Sequence, residues 1–208
     1  MDQKEQTQPA TSAEIKQYRA WWAGLSAPWK IAYNETTMRR SATDDLPDEV
    51  LHSIWTAPAL RFAGPTAPFP NMTIELDNLD GIAVFPKLEI FVFTHHKIQS
   101  LAPLARLPWL KSLFVFDNEI TALDGVEALS DLRELYFQGN RVESLDPLRG
   151  LTKLQNIYCS NNRLRSLKGV GKHHIGTLKQ FICLPNNDLP DSEIIRMVRK
   201  VGIRCMKG

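Results

Sequence analysis

The segment LKSLFVFDNEITALDGVEALSD, residues 110–131, is one of several similar segments that follow one another along the chain. The preceding unit begins at Leu88 and the following one at Leu132, which gives a period of 22 residues. A fourth unit, two residues longer, begins at Leu154, and a degenerate fifth begins at Leu178. One unit cannot bury its apolar residues alone, whereas a stack of units encloses them in a continuous core. The repetition therefore predicts a solenoid.

Each unit follows the pattern L-x-x-L-x-L-x-x-N-x-L and then L-x-x-L-x-x-L. This pattern resembles the leucine-rich repeat, in the short 22-residue form found in internalins and in regulators of protein phosphatase 1. The resemblance covers residues 66–189. It implies an α/β repeat fold, a leucine-rich-repeat solenoid with parallel β-strands on the concave face and short 3₁₀ or irregular turns on the convex side.

An asparagine follows each predicted strand, at Asn118, Asn140 and Asn162. A buried amide at this turn bonds free backbone groups of adjacent coils, so we expect a ladder of asparagine side chains. His96 stands at the equivalent position of the first full unit, where it departs from the pattern.

The chain divides into four segments on this basis. We expect a disordered tail over residues 1–10 and an N-terminal helical cap over residues 11–65. About five leucine-rich repeats, preceded by a partial unit, are expected over residues 66–189. A C-terminal capping helix and tail are expected over residues 190–208.

The two caps are predicted from apolar residues at helical spacing. Four of the five tryptophans lie in the N-terminal cap. We expect them to pack on the end of the core. In the C-terminal cap, Asp191 is the expected N-cap of a helix. The residues expected to seal the last coil are Ile194, Ile195, Val198 and Val201.

Side chains alternate between the two faces of a strand, so the repeat also predicts which residues project from the concave face. The fifth position of successive units is apolar or aromatic throughout: Val92, Phe114, Tyr136, Tyr158 and Ile182. Neighbouring positions on the same face contribute Phe116, Gln138, Glu134 and Asn156. Apolar anchors with a polar rim are typical of a protein-binding surface.

Two alternative roles would also account for the aromatic residues of this face. The N-terminal segment of the same chain would cover them, or they would serve strand packing by contacting one another. Recognition of a partner polypeptide is the interpretation we favour, which makes the protein an interaction module, a scaffold or binding protein whose partner the sequence does not name.

Positive charge is concentrated at the C-terminal end of the chain. Residues 153–208 contain 11 Lys and Arg against three Asp and Glu, although the whole chain carries only +2. A basic patch is predicted at Arg163, Arg165, Lys168 and Lys172. The alternative function is therefore binding of nucleic acid or another polyanionic surface. Nucleic acid is disfavoured as a partner, because the aromatic residues that would stack on bases lie in the acidic middle of the chain.

No catalytic residue is predicted, because the sequence lacks G-x-S-x-G, Walker, HExxH and Cys-His arrangements. The three cysteines have no metal-site spacing, and the pairs His95-His96 and His173-His174 lack partner ligands at the required spacing. We therefore expect a non-enzyme with neither cofactor nor metal, as a monomer or weak dimer. Cys159 and Cys183 occupy equivalent core positions of adjacent coils, where an oxidised pair is disfavoured in a reducing compartment.

A cytoplasmic location is expected, because the chain shows no secretory signal and no apolar run long enough for a membrane span.

Overall fold

The computed structural model describes residues 10–208. All but the last residue of the tail expected over residues 1–10 lies outside them. Three N-terminal helices are followed by seven strands that form one parallel sheet in chain order. The helices are α1 (Ser12–Gly24), α2 (Ala27–Met38) and α3 (Asp48–Trp55), and the strands are β1 (Ala59–Ala63), β2 (Ile90–Thr94), β3 (Ser112–Phe114), β4 (Glu134–Tyr136), β5 (Asn156–Tyr158), β6 (Gln180–Leu184) and β7 (Met206–Lys207).

The 22-residue period sets the register of the sheet. Leu113 of β3 pairs with Leu135 of β4, which pairs with Ile157 of β5, and all three side chains are buried. The four coils between β2 and β6 return on the convex side through short 3₁₀ helices. These helices are Ala102–Arg106, Val126–Ala128, Asp146–Gly150 and Lys172–His174. The predicted leucine-rich-repeat solenoid is confirmed.

The asparagine ladder forms as expected. Asn140 Nδ2 donates to the Val115 carbonyl of the preceding coil at 3.0 Å, and its Oδ1 accepts from the Ile120 amide at 2.9 Å. The asparagine of the next coil repeats both bonds. His96 takes over part of this role, since its Nδ1 accepts from the Leu76 amide at 3.2 Å. The departure from the repeat pattern therefore keeps the bond between coils.

The N-terminal cap closes the first coil with aromatic rings. Trp29 of α2 is buried, and its ring lies against Phe62 and Phe93 with centroids 5.5 and 6.0 Å apart. Tyr33 donates its hydroxyl to the Gly81 carbonyl at 3.2 Å. Gly81 approaches Trp29 so closely that any Cβ there would overlap the indole ring. The predicted packing of the N-terminal tryptophans on the core is thus observed for Trp29.

Strand β1 was not expected in the segment from which only helices were predicted. It pairs in parallel with β2, and its Phe62 is buried. Its partner positions Ala59 and Ile90 are 31 residues apart, whereas Ile90 and Ser112 are 22 apart. The longer connection removes β1 from the period that reveals the other coils.

The C-terminal helix α4 (Asp191–Arg196) begins one residue earlier than expected, with Pro190 as its N-cap, so the predicted N-cap role of Asp191 is wrong. A π-helical turn, Met197–Val201, follows. The core-facing residues are Ile194, Met197 and Val201, at the helical spacing i, i+3 and i+7, while Ile195 and Val198 are about half exposed. Those two residues therefore do not seal the last coil.

Candidate protein-binding surface

The fifth positions of the five repeats form a continuous row on the concave face, which we call the aromatic column. It consists of Val92, Phe114, Tyr136, Tyr158 and Ile182, each directly opposite the next in the sheet register. The Phe114 and Tyr136 rings pack edge to face with centroids 4.9 Å apart, and Tyr136 and Tyr158 do the same at 5.9 Å. The structure thus brings together all five residues that the sequence placed there.

Alternation along the strands separates this column from the core. Leu113 and Leu135 are inaccessible to solvent, whereas their neighbours Phe114 and Tyr136 are only half-buried. Partial burial raises the pKa of the Tyr136 hydroxyl, and the charge of Glu134 adds to the effect. The hydroxyl therefore stays protonated and able both to donate and to accept a hydrogen bond.

A row of polar side chains lies beside the aromatic column. Glu134 Oε2 accepts from the Ser112 hydroxyl at 2.7 Å, and Oε1 accepts from Asn156 Nδ2 at 3.2 Å. Each side chain comes from the same position of a neighbouring strand. The two predicted polar residues, Glu134 and Asn156, are therefore held together in one network that fixes the carboxylate beside the rings.

On the other side of the column lie Phe116 and Gln138. The Phe116 ring packs edge-on against His95 at 5.7 Å, and His95 Nε2 lies 3.3 Å from Asp117 Oδ2. The Gln138 Oε1 atom has no hydrogen-bond partner among residues 10–208.

Three residues that the sequence reasoning missed flank the column. Arg61 of β1 pairs with Val92, and Met206 of β7 pairs with Ile182, so they extend the row at both ends. Phe69, in the loop after β1, is 81% exposed, and its carbonyl accepts from the Arg61 guanidinium. The alternating run ALRFA, which contains Arg61, is typical of a β-strand, but it lies outside the repeat period.

Two alternatives to partner binding can be compared with the structure: cover of the column by the N-terminal segment, and a role of its rings in strand packing alone. The described N-terminal helices pack on the end of the core, where Trp21 contacts Phe85 and Trp29 contacts Phe62. The ring contacts within the column are those that strand packing would produce. They coexist with partial exposure of every member, which leaves ring surface available for a partner.

Comparison with known proteins identifies the repeats. Residues 108–150 and 130–172 each match the family model described as leucine rich repeats in two copies. The chain is a leucine-rich repeat protein. Domains of this kind are typically protein-binding modules, and the fold is usually non-catalytic. No curated protein matches the chain.

Among solved structures, this leucine-rich repeat protein is similar to the internalin inlF of Listeria monocytogenes, with a TM-score of 0.60 and 23% identity. The match covers 76% of this chain and 42% of the internalin, so the chain spans less than half of that protein. At this identity the likeness concerns the fold. Two further matches are a leucine-rich repeat protein of Leptospira interrogans (TM-score 0.48, 21% identity, 60% and 32% of the two chains) and internalin C2 of Listeria monocytogenes (0.37, 18%, 74% and 82%).

The basic patch of the leucine-rich repeat protein lies in the coil between β5 and β6. Its four members, Arg163, Arg165, Lys168 and Lys172, are exposed, and within residues 10–208 none forms an ion pair. Earlier coils differ, because four of their cations form ion pairs across coils. These pairs are Lys97–Glu75, Lys111–Glu89, Arg141–Glu119 and Lys153–Asp131.

The buried histidines act in the structure as backbone partners. His174 is buried, and its Nδ1 accepts from the Gly171 amide at 3.3 Å. Burial lowers the pKa of His174 and, more strongly, that of His96, to about 4. In the part of the chain that the structure describes, no three His, Cys, Asp or Glu side chains gather as a metal site requires. No helix in that part is both long and apolar enough to cross a membrane.

Proposed function

We propose that this leucine-rich repeat protein is a non-enzymatic interaction module that binds a partner polypeptide through the aromatic column. The observation that carries the proposal is the partial exposure of Phe114, Tyr136 and Tyr158, whose rings form one continuous row on adjacent strands. Glu134 and Asn156 form the polar rim on one side, and Phe116 and Gln138 line the other. The cytoplasmic location stays a prediction.

The dimensions of the column fit an interface centre. Adjacent parallel strands lie about 4.8 Å apart, so four rungs cover about 14 Å, the scale of a cluster of interface hot spots. The rings already restrain one another, so binding immobilises little additional side-chain freedom. The protonated hydroxyl of Tyr136 is able to orient a partner by a hydrogen bond to its backbone.

The test separates the two faces of one strand. Leu113→Ala removes a core side chain and should lower the free energy of unfolding by about 2 to 5 kcal/mol. Phe114→Ala combined with Tyr136→Ala should leave the fold intact and weaken partner binding by about 2 to 4 kcal/mol, because central aromatic anchors dominate such interfaces.

The partner is first isolated on immobilised wild-type protein, with the Phe114→Ala/Tyr136→Ala variant as the control matrix. It is then identified by mass spectrometry and titrated against each variant by calorimetry, alongside thermal melts of the same samples. Equal capture by both matrices would reject the column as the binding site. A destabilisation of Phe114→Ala as large as that of Leu113→Ala would show that the ring serves packing instead.

A second candidate function rests on the unpaired cations of the basic patch. We propose polyanion binding, or electrostatic attraction of an acidic partner, as the alternative role of Arg163, Arg165, Lys168 and Lys172. Phosphate-driven binding falls steeply with salt, whereas an aromatic-anchored complex survives moderate salt. Neutralising Arg163, Arg165 and Lys168 together should slow association at low salt. Association that stays equally fast and independent of salt would remove any role for the patch.

A further inference from the structure

The three cysteines of the chain gather at its C-terminal end. Cys159 directly follows β5, Cys183 lies within β6, and Cys205 directly precedes β7. Because these strands are neighbours in the sheet, the cysteines lie in consecutive coils. All three thiols are free, Cys159 and Cys183 are inaccessible to solvent, and Cys205 is half-buried at the edge of the core.

The pairing of β6 with β7 brings Cys205 next to Cys183. Ile182 is opposite Met206 in the parallel register, so Cys205, one residue before Met206, projects to the same core side of the sheet as Cys183. The two thiols interact directly: this contact raises the pKa of Cys183 and lowers that of Cys205. Arg196 lowers the pKa of Cys205 further, against the effects of burial and Glu193.

We propose that Cys205 and Cys183 are a redox-active thiol pair that reacts with a peroxide and closes an intramolecular disulfide between β6 and β7. Cys205 is the attacking group because solvent reaches it and a thiolate is the nucleophilic form. Cys183 is the resolving group, held beside it in the core. A half-exposed thiol next to a second cysteine is the arrangement that reversible thiol oxidation requires.

The chemistry balances in two steps. The Cys205 thiolate attacks one peroxide oxygen, so that an S–O bond forms, the O–O bond breaks and hydroxide leaves. The sulfur of Cys183 then attacks the sulfenic sulfur of Cys205. The S–S bond forms, the S–O bond breaks, and the departing hydroxide takes up the proton of Cys183 as water. Two thiols are oxidised and one hydrogen peroxide is reduced to two waters.

The pairing of Cys159 with Cys183, which the repeat register alone favours, is less suited to this reaction. Both thiols are inaccessible to solvent, and burial raises the pKa of Cys159, so neither presents a thiolate to the oxidant. Cys205 combines access with a thiol neighbour. The position of Cys205 beside β7 therefore decides which disulfide forms.

The experiment treats the reduced full chain with hydrogen peroxide, counts free thiols and maps disulfides by mass spectrometry of non-reduced peptides. The thiol count of the wild type should fall from three to one, with a Cys183–Cys205 bridge that dithiothreitol reverses. Cys159→Ala is the matched control and should form the same bridge, leaving no free thiol. Cys205→Ser should keep both of its thiols.

A Cys159–Cys183 bridge, disulfides between molecules only, a sulfinic acid at Cys205 without a bridge, or three unchanged thiols would each overturn the proposal. Circular dichroism of each reduced variant establishes that it is folded before oxidation. If Cys205→Ser does not fold, the peptide map of the wild type decides, because it identifies the bonded cysteines without any substitution.

Discussion

The two ends of the solenoid face the same problem and solve it with different chemistry. At the N-terminal end, three helices cover the first coil with rings such as Trp29 and Tyr33, whose contacts are largely apolar. At the C-terminal end, the six-residue helix α4 buries none of its own residues fully and is attached by a carboxylate. This end thus adds a charged contact, which responds to pH, to the apolar contact of Met197 in the turn that follows.

The attachment at the C-terminal end is the side chain of Glu193. Its Oε2 accepts from the Ser166 hydroxyl at 2.8 Å and from the Leu167 amide at 2.7 Å, while Arg196 donates to both oxygens. The Arg196 guanidinium, with these donors, lowers the pKa of Glu193 to about 2. One side chain therefore joins α4 to the coil beneath it.

The largest effect is expected from breaking the N-terminal end. Phe62→Ala removes a buried ring that touches Trp29 and Tyr33, and should lower the free energy of unfolding by about 3 to 5 kcal/mol. Phe69→Ala is the control, since that ring is 81% exposed, and should change the same quantity by less than about 0.5 kcal/mol. Urea denaturation measures both. Similar losses would mean that the Phe69 loop, too, is part of the cap.

The pH dependence of stability should reveal His96 in the first coil. Its pKa of about 4 in the folded chain lies below the ordinary value of 6.5, mainly because of burial. As pH falls from 6.5 towards 4, the unfolded chain takes up the proton first, so the folded state loses up to about 3 kcal/mol.

His96→Asn restores the residue of the other coils and should remove this part of the acid sensitivity. His173→Asn, on the exposed surface, is the matched control. Unfolding free energies at pH 7 and pH 4.5 provide the comparison. His174, whose pKa burial also lowers, contributes in the same direction and remains in both variants. An unchanged slope in His96→Asn would contradict the assignment to the first coil.

A smaller and local effect is expected at the C-terminal end. The pKa of Glu193 is lowered from 4.5, so its contribution is complete above pH 4.5 and is lost as pH falls towards 2. Glu193→Gln should weaken the attachment by about 1 to 3 kcal/mol at neutral pH, since bonds to a charged acceptor become neutral ones. Faster hydrogen exchange of the Leu167 amide would report it. Asp191→Asn on the same helix should leave that exchange rate unchanged.

The smallest effect on stability is expected at Val198, and it tests which face of the C-terminal helix meets the core. Val198→Ala should change stability by less than about 0.5 kcal/mol, because the side chain is about half exposed. Met197→Ala, one residue earlier and fully buried, should cost about 2 to 5 kcal/mol. Thermal melts of the pair decide which face of the helix meets the core, and the reverse ranking would restore the orientation expected from the apolar spacing.

The repeat region was predictable because the 22-residue period indicates both which residues enter the core and which project from the concave face. The positions of Leu113 and Leu135 in the core and of Phe114 and Tyr136 on the concave face follow from the alignment of two units. Strand β1 escaped because its register lies 31 residues from β2, and Phe62 therefore falls out of phase. A single sequence provides no comparable signal for an irregular connection.

At the C-terminal end, the missing information was geometric. The apolar residues of the last helix offer two overlapping helical faces, and the core takes the one that contains Met197. The contact of Cys205 with Cys183 depends on β7. This two-residue strand lies outside the repeat, so the repeat pattern does not predict it. The aromatic column follows from the sequence, but its neighbours Arg61 and Met206 required the pairing of the terminal strands.

The straight register of the strands has a consequence for how such a molecule can change in size. Equivalent residues of β3, β4 and β5 stand directly opposite one another, and Asn140 and Asn162 bond equivalent backbone groups in successive coils. A duplicated copy of residues 110–131 would therefore insert as one additional coil, lengthening the concave face by about 4.8 Å and supplying one more phenylalanine to the row. The caps would be displaced as intact bodies, because each contacts its own terminal coil. The length of the binding surface can therefore be changed in steps of one coil, without redesign of either cap.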